Sequence, residues 1–198
     1  MTTAVAIKAP PIQLRPHASA QRVVMTVATS CLGHADANQP NVAVGTPEAL
    51  HQFRVAYRRL RSLFSLAREI SRTDPQGMKL KAELRDVTSN FGFARDLDVF
   101  LETNPGLSEA DVAKVEEARV AAYAGVAETL ASARWERLHT DLDRWLDKGK
   151  WRKALDDDPW TGRSLARRSL HRRRARILAM GSDLAGLTEH ERHEVRKE

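Results

Sequence analysis

From Phe53 to Ala67 the apolar residues Phe53, Ala56, Tyr57, Leu60, Leu63, Phe64 and Ala67 return every three or four positions. That spacing lines one face of an α-helix and cannot line one face of a strand. Ahead of it, Thr46-Pro47-Glu48 supplies an N-cap, a proline at the first helical position and an acid in the first turn. A helix from about Pro47 to Ile70 is expected. Strand signals are nearly absent from the rest of the 198 residues, so the apolar faces must be buried helix against helix. The expected fold class is all-α, an antiparallel bundle of long helices joined by short turns.

Residues 1–13 (MTTAVAIKAPPIQ) are small, proline-containing and aperiodic, and are expected to be a flexible lead-in to a domain over 14–198. A helix is expected from Ala18 to Leu32, stopped by Gly33 and followed by the turn-rich stretch HADANQPNVAVG. Asp74-Pro75 and Gly77 end the helix from Pro47, and the next is expected from Met78 to Glu102, closed by Asn104-Pro105-Gly106. Ser108 with Asp111 resembles a capping box for a helix to about Ala131, and Ser132 caps another to Gly149. KWRKALDDDPWTG reads as a loop and Ser164 to Met180 as a very basic helix stopped by Gly181. Thr188-Glu189 opens a last helix.

With His51 at zero and about 100° per residue, Arg54, Arg58, Arg61 and Arg68 fall at about 300°, 340°, 280° and 260°. The apolar stripe lies directly beside them, at about 120° to 240°, and Arg59, at about 80°, belongs to neither face. Cations scattered over a solvated helix would not concentrate in so narrow an arc, where like charges repel unless something lies between them. A solvated face, or pairing with acids on neighbouring helices, is the alternative reading.

The helix from Met78 repeats the arrangement. Lys81, Arg85, Thr88, Gly92 and Arg95 share a face, beside Leu80, Leu84, Val87, Phe91 and Ala94. Gly92 costs a helix about 1 kcal/mol against alanine, and close approach of a ligand or a neighbouring backbone is one reason to carry it. Asp96 and Asp98 are read as partners that orient these arginines, because two carboxylates are too few for a metal. In the later basic helix Arg168, Arg172 and Arg176 fall on one line. Leu170, Ile177 and Met180 form its expected core side, with Arg173 inside the apolar arc. A solvated or RNA-binding basic run explains that segment equally well.

Arginine supplies 24 of the 32 cationic side chains and lysine 8. Its planar fork stays charged and grips phosphate or carboxylate bidentately, so the excess points to an oxyanion partner. Codon bias is the alternative, since alanine is abundant too. The single cysteine, Cys31, can make no internal disulfide. No run approaches the roughly 18 apolar residues of a membrane span, and no signal-peptide pattern opens the chain. A cytoplasmic protein without membrane contact is expected. There is no P-loop or dinucleotide fingerprint, and Asp156-Asp157-Asp158 reads as a solvated loop rather than a Mg²⁺ site. No catalytic residues, metal or cofactor are expected.

The run Leu50-His51-Gln52-Phe53-Arg54-Val55-Ala56-Tyr57-Arg58-Arg59-Leu60-Arg61 is followed by Leu84-Arg85 and by Gly92-Phe93-Ala94-Arg95-Asp96-Leu97-Asp98-Val99. Together they resemble the CHAD family, the conserved histidine α-helical domain, whose signature is HxxRVAxRRLR and then LGxARDxDV. Phe91, and Tyr57 where an aliphatic is usual, depart from that pattern without touching a cationic position. Leu138, Leu142, Trp145-Leu146 and Trp151 are similar to the segment between the family's repeats, so the resemblance runs from about Leu14 to the end. It implies two helical repeats around a basic channel that binds inorganic polyphosphate. On this resemblance a first repeat spans about 14–150. An incomplete second repeat starts within about 160–198, where His193-Glu194-Val195-Arg196-Lys197 is similar to the opening of its basic helix.

The resemblance assigns polyphosphate contacts to His51, Arg54, Arg58, Arg61, Arg85 and Arg95, and to His193, Arg196 and Lys197. The helical wheels add Lys81, Arg172 and Arg176. Polyphosphate offers charge on every linked unit and no base or sugar to read, so rows of oriented donors along a groove are enough. The expected function is non-enzymatic polyphosphate binding, with targeting to polyphosphate granules as its consequence. Family members often sit beside a triphosphate-hydrolase domain, and no ExExK-like stretch is present to supply one. Two other readings stand beside it. One is a helical nucleic-acid-binding protein, against which the 6% aromatic content speaks. The other is a scaffold that docks acidic protein segments.

Overall fold

The computed structural model describes residues 5–67, 74–156 and 161–197. They form α1 (Ala20–Ala43), α2 (Pro47–Leu66), α3 (Pro75–Val87), α4 (Asn90–Thr103), α5 (Glu109–Leu130), α6 (Ala133–Lys148), α7 (Trp151–Asp156), α8 (Gly162–Met180) and α9 (Glu189–Lys197). The described residues contain no strand, only an isolated bridge between Ser19 and Thr161. No described helix is long and apolar enough to cross a membrane. Side-chain oxygens of Ser19, Asp74, Ser108, Ser132 and Thr161 accept from backbone N–H groups and open α1, α3, α5, α6 and α8. Thr46 makes no such bond, so α2 starts on Pro47 and Glu48 alone.

The pair α1–α2, joined by Val44–Thr46, is the most extensive helix contact of the chain. α1 runs through Gly33 and Pro40 to Ala43, well past the stop expected at Gly33. The reason is tertiary. Ala28, Cys31, Leu32, Ala35 and Val42 are buried along its whole length, which outweighs interior penalties of about 3 kcal/mol for proline and about 1 for glycine. The same extension buries His34 and Asn38, which tie down the lead-in. Ile7 N donates to Asn38 Oδ1 at 2.9 Å, and Asn38 Nδ2 donates back to the Ile7 carbonyl at 2.9 Å. His34 Nε2 lies 2.9 Å from the same carbonyl. From Val5 onward the lead-in has no regular element and is hydrogen-bonded to α1 through Val5 and Ile7.

Three further expectations are corrected. Asp74-Pro75 starts a helix rather than ending one, with Asp74 as N-cap of α3. The single helix expected over Met78–Glu102 is broken at Thr88-Ser89, and Asn90 opens α4. Thr88 Oγ1 donates to the Leu84 carbonyl at 2.7 Å, and Asn90 Nδ2 donates to Gly125 O and Thr129 Oγ1 on α5, at 3.2 and 2.8 Å. Short polar side chains that offer such bonds compete with the helical ladder. Within the expected loop KWRKALDDDPWTG stands α7, because Trp151 is fully buried and its Nε1 donates to the Trp145 carbonyl at 2.9 Å. The side chains of Asp156, Asp157 and Asp158, and all of Arg68, lie outside the described residues.

In α8 the buried residues are Leu165 and Ser169, while Leu170 and Ile177, expected on the core side, are 63% and 38% exposed. The inner line of this basic helix, Leu165 and then Ser169, continues into Arg172 and Arg176. At the other end of the core, Phe53, Tyr57, Phe91 and Trp135 form one aromatic cluster with ring centroids 4.9 to 6.0 Å apart. Phe53 and Tyr57 belong to α2 and Phe91 to α4, so the cluster locks together the two helices that carry most of the cationic face.

Candidate anion-binding cleft

His51, Arg54, Arg58 and Arg61 are spaced three and four residues apart on α2 and therefore project from one side of it. They line a cavity of about 270 Å³ whose far wall is Thr88, Phe91, Arg95 and Val99 of α3–α4. Arg61 also borders a second depression, of about 690 Å³, with Lys81 and Arg85 of α3. Arg61 lines both hollows of this furrow between α2 and α3–α4. Lys81 Nζ donates to Ser65 Oγ at 2.9 Å, which steadies it at the edge.

Among the described residues Arg54, Arg58, Arg61 and Arg85 make no ion pair with a carboxylate. Burial, and then the fields of Arg54, Arg85 and Arg58, push the Arg61 guanidinium below the ordinary arginine value. Arg54 shifts the same way, mainly through burial, with Asp96 opposing and Arg58 and Arg95 adding to the shift. Arg54 and Arg61 thus hold partly desolvated positive charge with no carboxylate at ion-pair distance among the described residues. Apolar walls at Val55, Phe91 and Val99 keep water from screening it fully.

Gly92 serves this geometry in a way the sequence did not specify. A Cβ placed on it would stand 3.1 Å from Arg54 Nη1. The glycine makes room for a guanidinium from the facing helix.

Arg95 differs from its neighbours. Its Nη1 and Nη2 donate to Glu102 Oε1 and Oε2 at 3.1 and 3.2 Å, and Nη1 lies 3.7 Å from Asp98. Asp98 is buried and is held in turn by Arg119 Nε at 2.8 Å and the Tyr123 hydroxyl at 2.8 Å, both from α5. The expected pairing of Asp98 with an arginine is therefore mainly with Arg119. Sequence reasoning missed Arg119 and Glu102. The first lies on another helix, but Glu102 stands two turns after Arg95 on the same helix, a spacing that puts them on one face.

The remaining candidates stand elsewhere. Arg172 and Arg176 follow the inner line of α8, and His193 and Arg196 sit on α9, whose main contact is with α8. None of the four lines the furrow between α2 and α3–α4. Lys197 closes α9, and its side chain lies outside the described residues. Arg59 does not line the furrow; it lines an apolar groove of α2 with α1 and α8, which Arg58 also borders. Among the described residues no group of three His, Cys, Asp or Glu side chains is placed to hold a metal ion.

The model of the CHAD domain matches residues 26–198. Among solved structures, the CHAD domain from the plant Ricinus communis is similar, with a TM-score of 0.81 and 25% identity. That match covers 97% of this chain and 66% of the plant chain, so this chain spans less than two thirds of the plant one. No curated protein matches the chain. With most of its length matched by the family model and its helices superposing on a solved member, the chain belongs to the CHAD domain family.

Proposed function

We propose that this protein binds inorganic polyphosphate, without turning it over, in the basic furrow between α2 and α3–α4. One observation carries the reading: Arg54, Arg58, Arg61 and Arg85 converge on a common furrow and have no carboxylate partners among the described residues. Cations held together in this way repel one another until an anion enters. A linear polyanion places phosphates beside several of them at once, and each charge-assisted bond contributes about 1.5 to 3 kcal/mol. His51 at one end of the row adds a ring N–H donor. Association with polyphosphate granules would follow from such binding.

Calorimetric titration with polyphosphates of defined length, at two salt concentrations, tests the reading. Tight binding that weakens steeply with salt is expected. Duplex DNA and RNA at equal phosphate concentration should fail to displace the polymer, because the furrow has no exposed aromatic platform for bases. Displacement by either would favour the nucleic-acid reading instead.

A further inference from the structure

Among the described residues Arg54, Arg58, Arg61 and Arg85 make no ion pair with a carboxylate, and Arg95 does. Arg95 is held by two parallel hydrogen bonds from Nη1 and Nη2 to the two oxygens of Glu102, at 3.1 and 3.2 Å. This is the fork-on-carboxylate geometry that a phosphate would also use. Arg95 is only 14% exposed in its side chain, whereas Glu102 is 55% exposed and comes from the solvent edge of α4. The guanidinium is anchored from below by Asp98, 3.7 Å away. Asp98 is itself fixed by Arg119 and Tyr123. When Glu102 swings out, Arg95 therefore keeps a second carboxylate and stays in the wall of the cavity.

We infer that Glu102 is an internal competitor for the polyanion: a carboxylate latch that occupies the Arg95 fork until several phosphates, already engaged by Arg54, Arg58 and Arg61, displace it. This rests on the proposed function and adds a selectivity rule to it. A single small anion gains one site at most and has to break a bidentate pair to reach Arg95. A polymer bound along the α2 row brings the next phosphate to Arg95 at high local concentration. The latch thus penalises short anions more than long ones and sharpens the furrow's preference for polymers.

The experiment is a double-mutant cycle read by polyphosphate titration. In Glu102→Gln the amide cannot offer two carboxylate oxygens to the fork, and affinity for long-chain polyphosphate should rise about two- to fivefold, the range expected for a partly exposed ion pair. Affinity for pyrophosphate should rise by a larger factor. In an Arg95→Gln background the Glu102→Gln change should give no gain, because there is no fork left to release. A gain of equal size in both backgrounds would mean that Glu102 acts only through bulk charge, and the latch would be overturned. So would unchanged or weaker binding in Glu102→Gln alone, with a wild type that binds and an Arg58→Glu variant that binds more weakly. If the wild type fails to bind polyphosphate, the proposed function falls first and the latch with it.

Discussion

The guanidinium of Arg54 lies against the bare backbone of Gly92, so close that a β-carbon would come within 3.1 Å of Nη1. Gly92 sits inside α4, where alanine would be the better helix former by about 1 kcal/mol. The two effects separate in Gly92→Ala. Its melting temperature should stay level or rise, since the far end of the Arg54 side chain can yield by the few tenths of an ångström required. Polyphosphate affinity should fall about threefold or more, because Arg54 leaves its place in the row, a loss equal to part of one charge-assisted bond. Thermal unfolding and titration of the same preparation distinguish this from simple destabilisation.

The row itself is tested by reversing charge at neighbouring positions. Arg58 lines the furrow as well as the groove with α1 and α8, whereas Arg59 lines that groove and not the furrow. Arg58→Glu should weaken polyphosphate binding about tenfold or more, losing one charge-assisted bond and adding repulsion. Arg59→Glu should change it far less, acting only through screened long-range charge. Equal losses would mean that the polymer senses net charge and not this row.

Much of that row was legible because it is local. On α2 the cations and the apolar stripe share one uninterrupted period, and every stripe residue from Phe53 to Ala67 is buried. Where the period crosses a break the reading failed. Thr88-Ser89-Asn90 leaves the spacing of apolar residues intact, and the bonds of Asn90 to Gly125 and Thr129 depend on a helix that follows it by some three dozen residues. The extension of α1 through Pro40 was hidden for the same reason, since burial against distant elements overrides local propensity. In α8, Leu170 and Ile177 have the chemistry of a core face, but the described residues leave them exposed.

Asp74 is a case where one buried carboxylate serves several donors. Its Oδ1 accepts from Gln76 N at 3.0 Å, and its Oδ2 accepts from Trp145 Nε1 at 2.9 Å and Trp151 N at 3.3 Å. Asp74→Ala removes a helix cap and leaves a buried indole N–H without a partner. A loss of about 2 to 4 kcal/mol is expected from the shift in denaturant midpoint. Polyphosphate binding by the fraction still folded should be unchanged, because Asp74 lies on the α6–α7 side of α3, away from the furrow.

Tyr57, one of two residues that depart from the family pattern, makes a hydrogen bond of 2.8 Å with His139 Nε2 and borders the furrow. The neutral imidazole that accepts at Nε2 carries its proton on Nδ1, 3.7 Å from Asp36 Oδ1. Burial lowers the His139 pKa, and the fields of Asp36 and Asp143 only partly offset it. A histidine with a depressed folded-state pKa binds its proton more readily when unfolded. Its contribution to stability is therefore complete above the unfolded value of about 6.5 and declines as pH falls towards the folded one. Asp36, raised mainly by burial, works in the opposite sense at more acidic pH, and the Tyr57 hydroxyl is held far above neutrality. Between about pH 7 and pH 5.5 the wild type should thus lose stability more steeply than His139→Gln, whose amide accepts from Tyr57 but does not titrate. The difference in slope should reach at most about 1.4 kcal/mol per pH unit, the limit for one proton. Parallel slopes in urea titrations across that range would show that the Tyr57–His139 contact does not depend on the neutral ring.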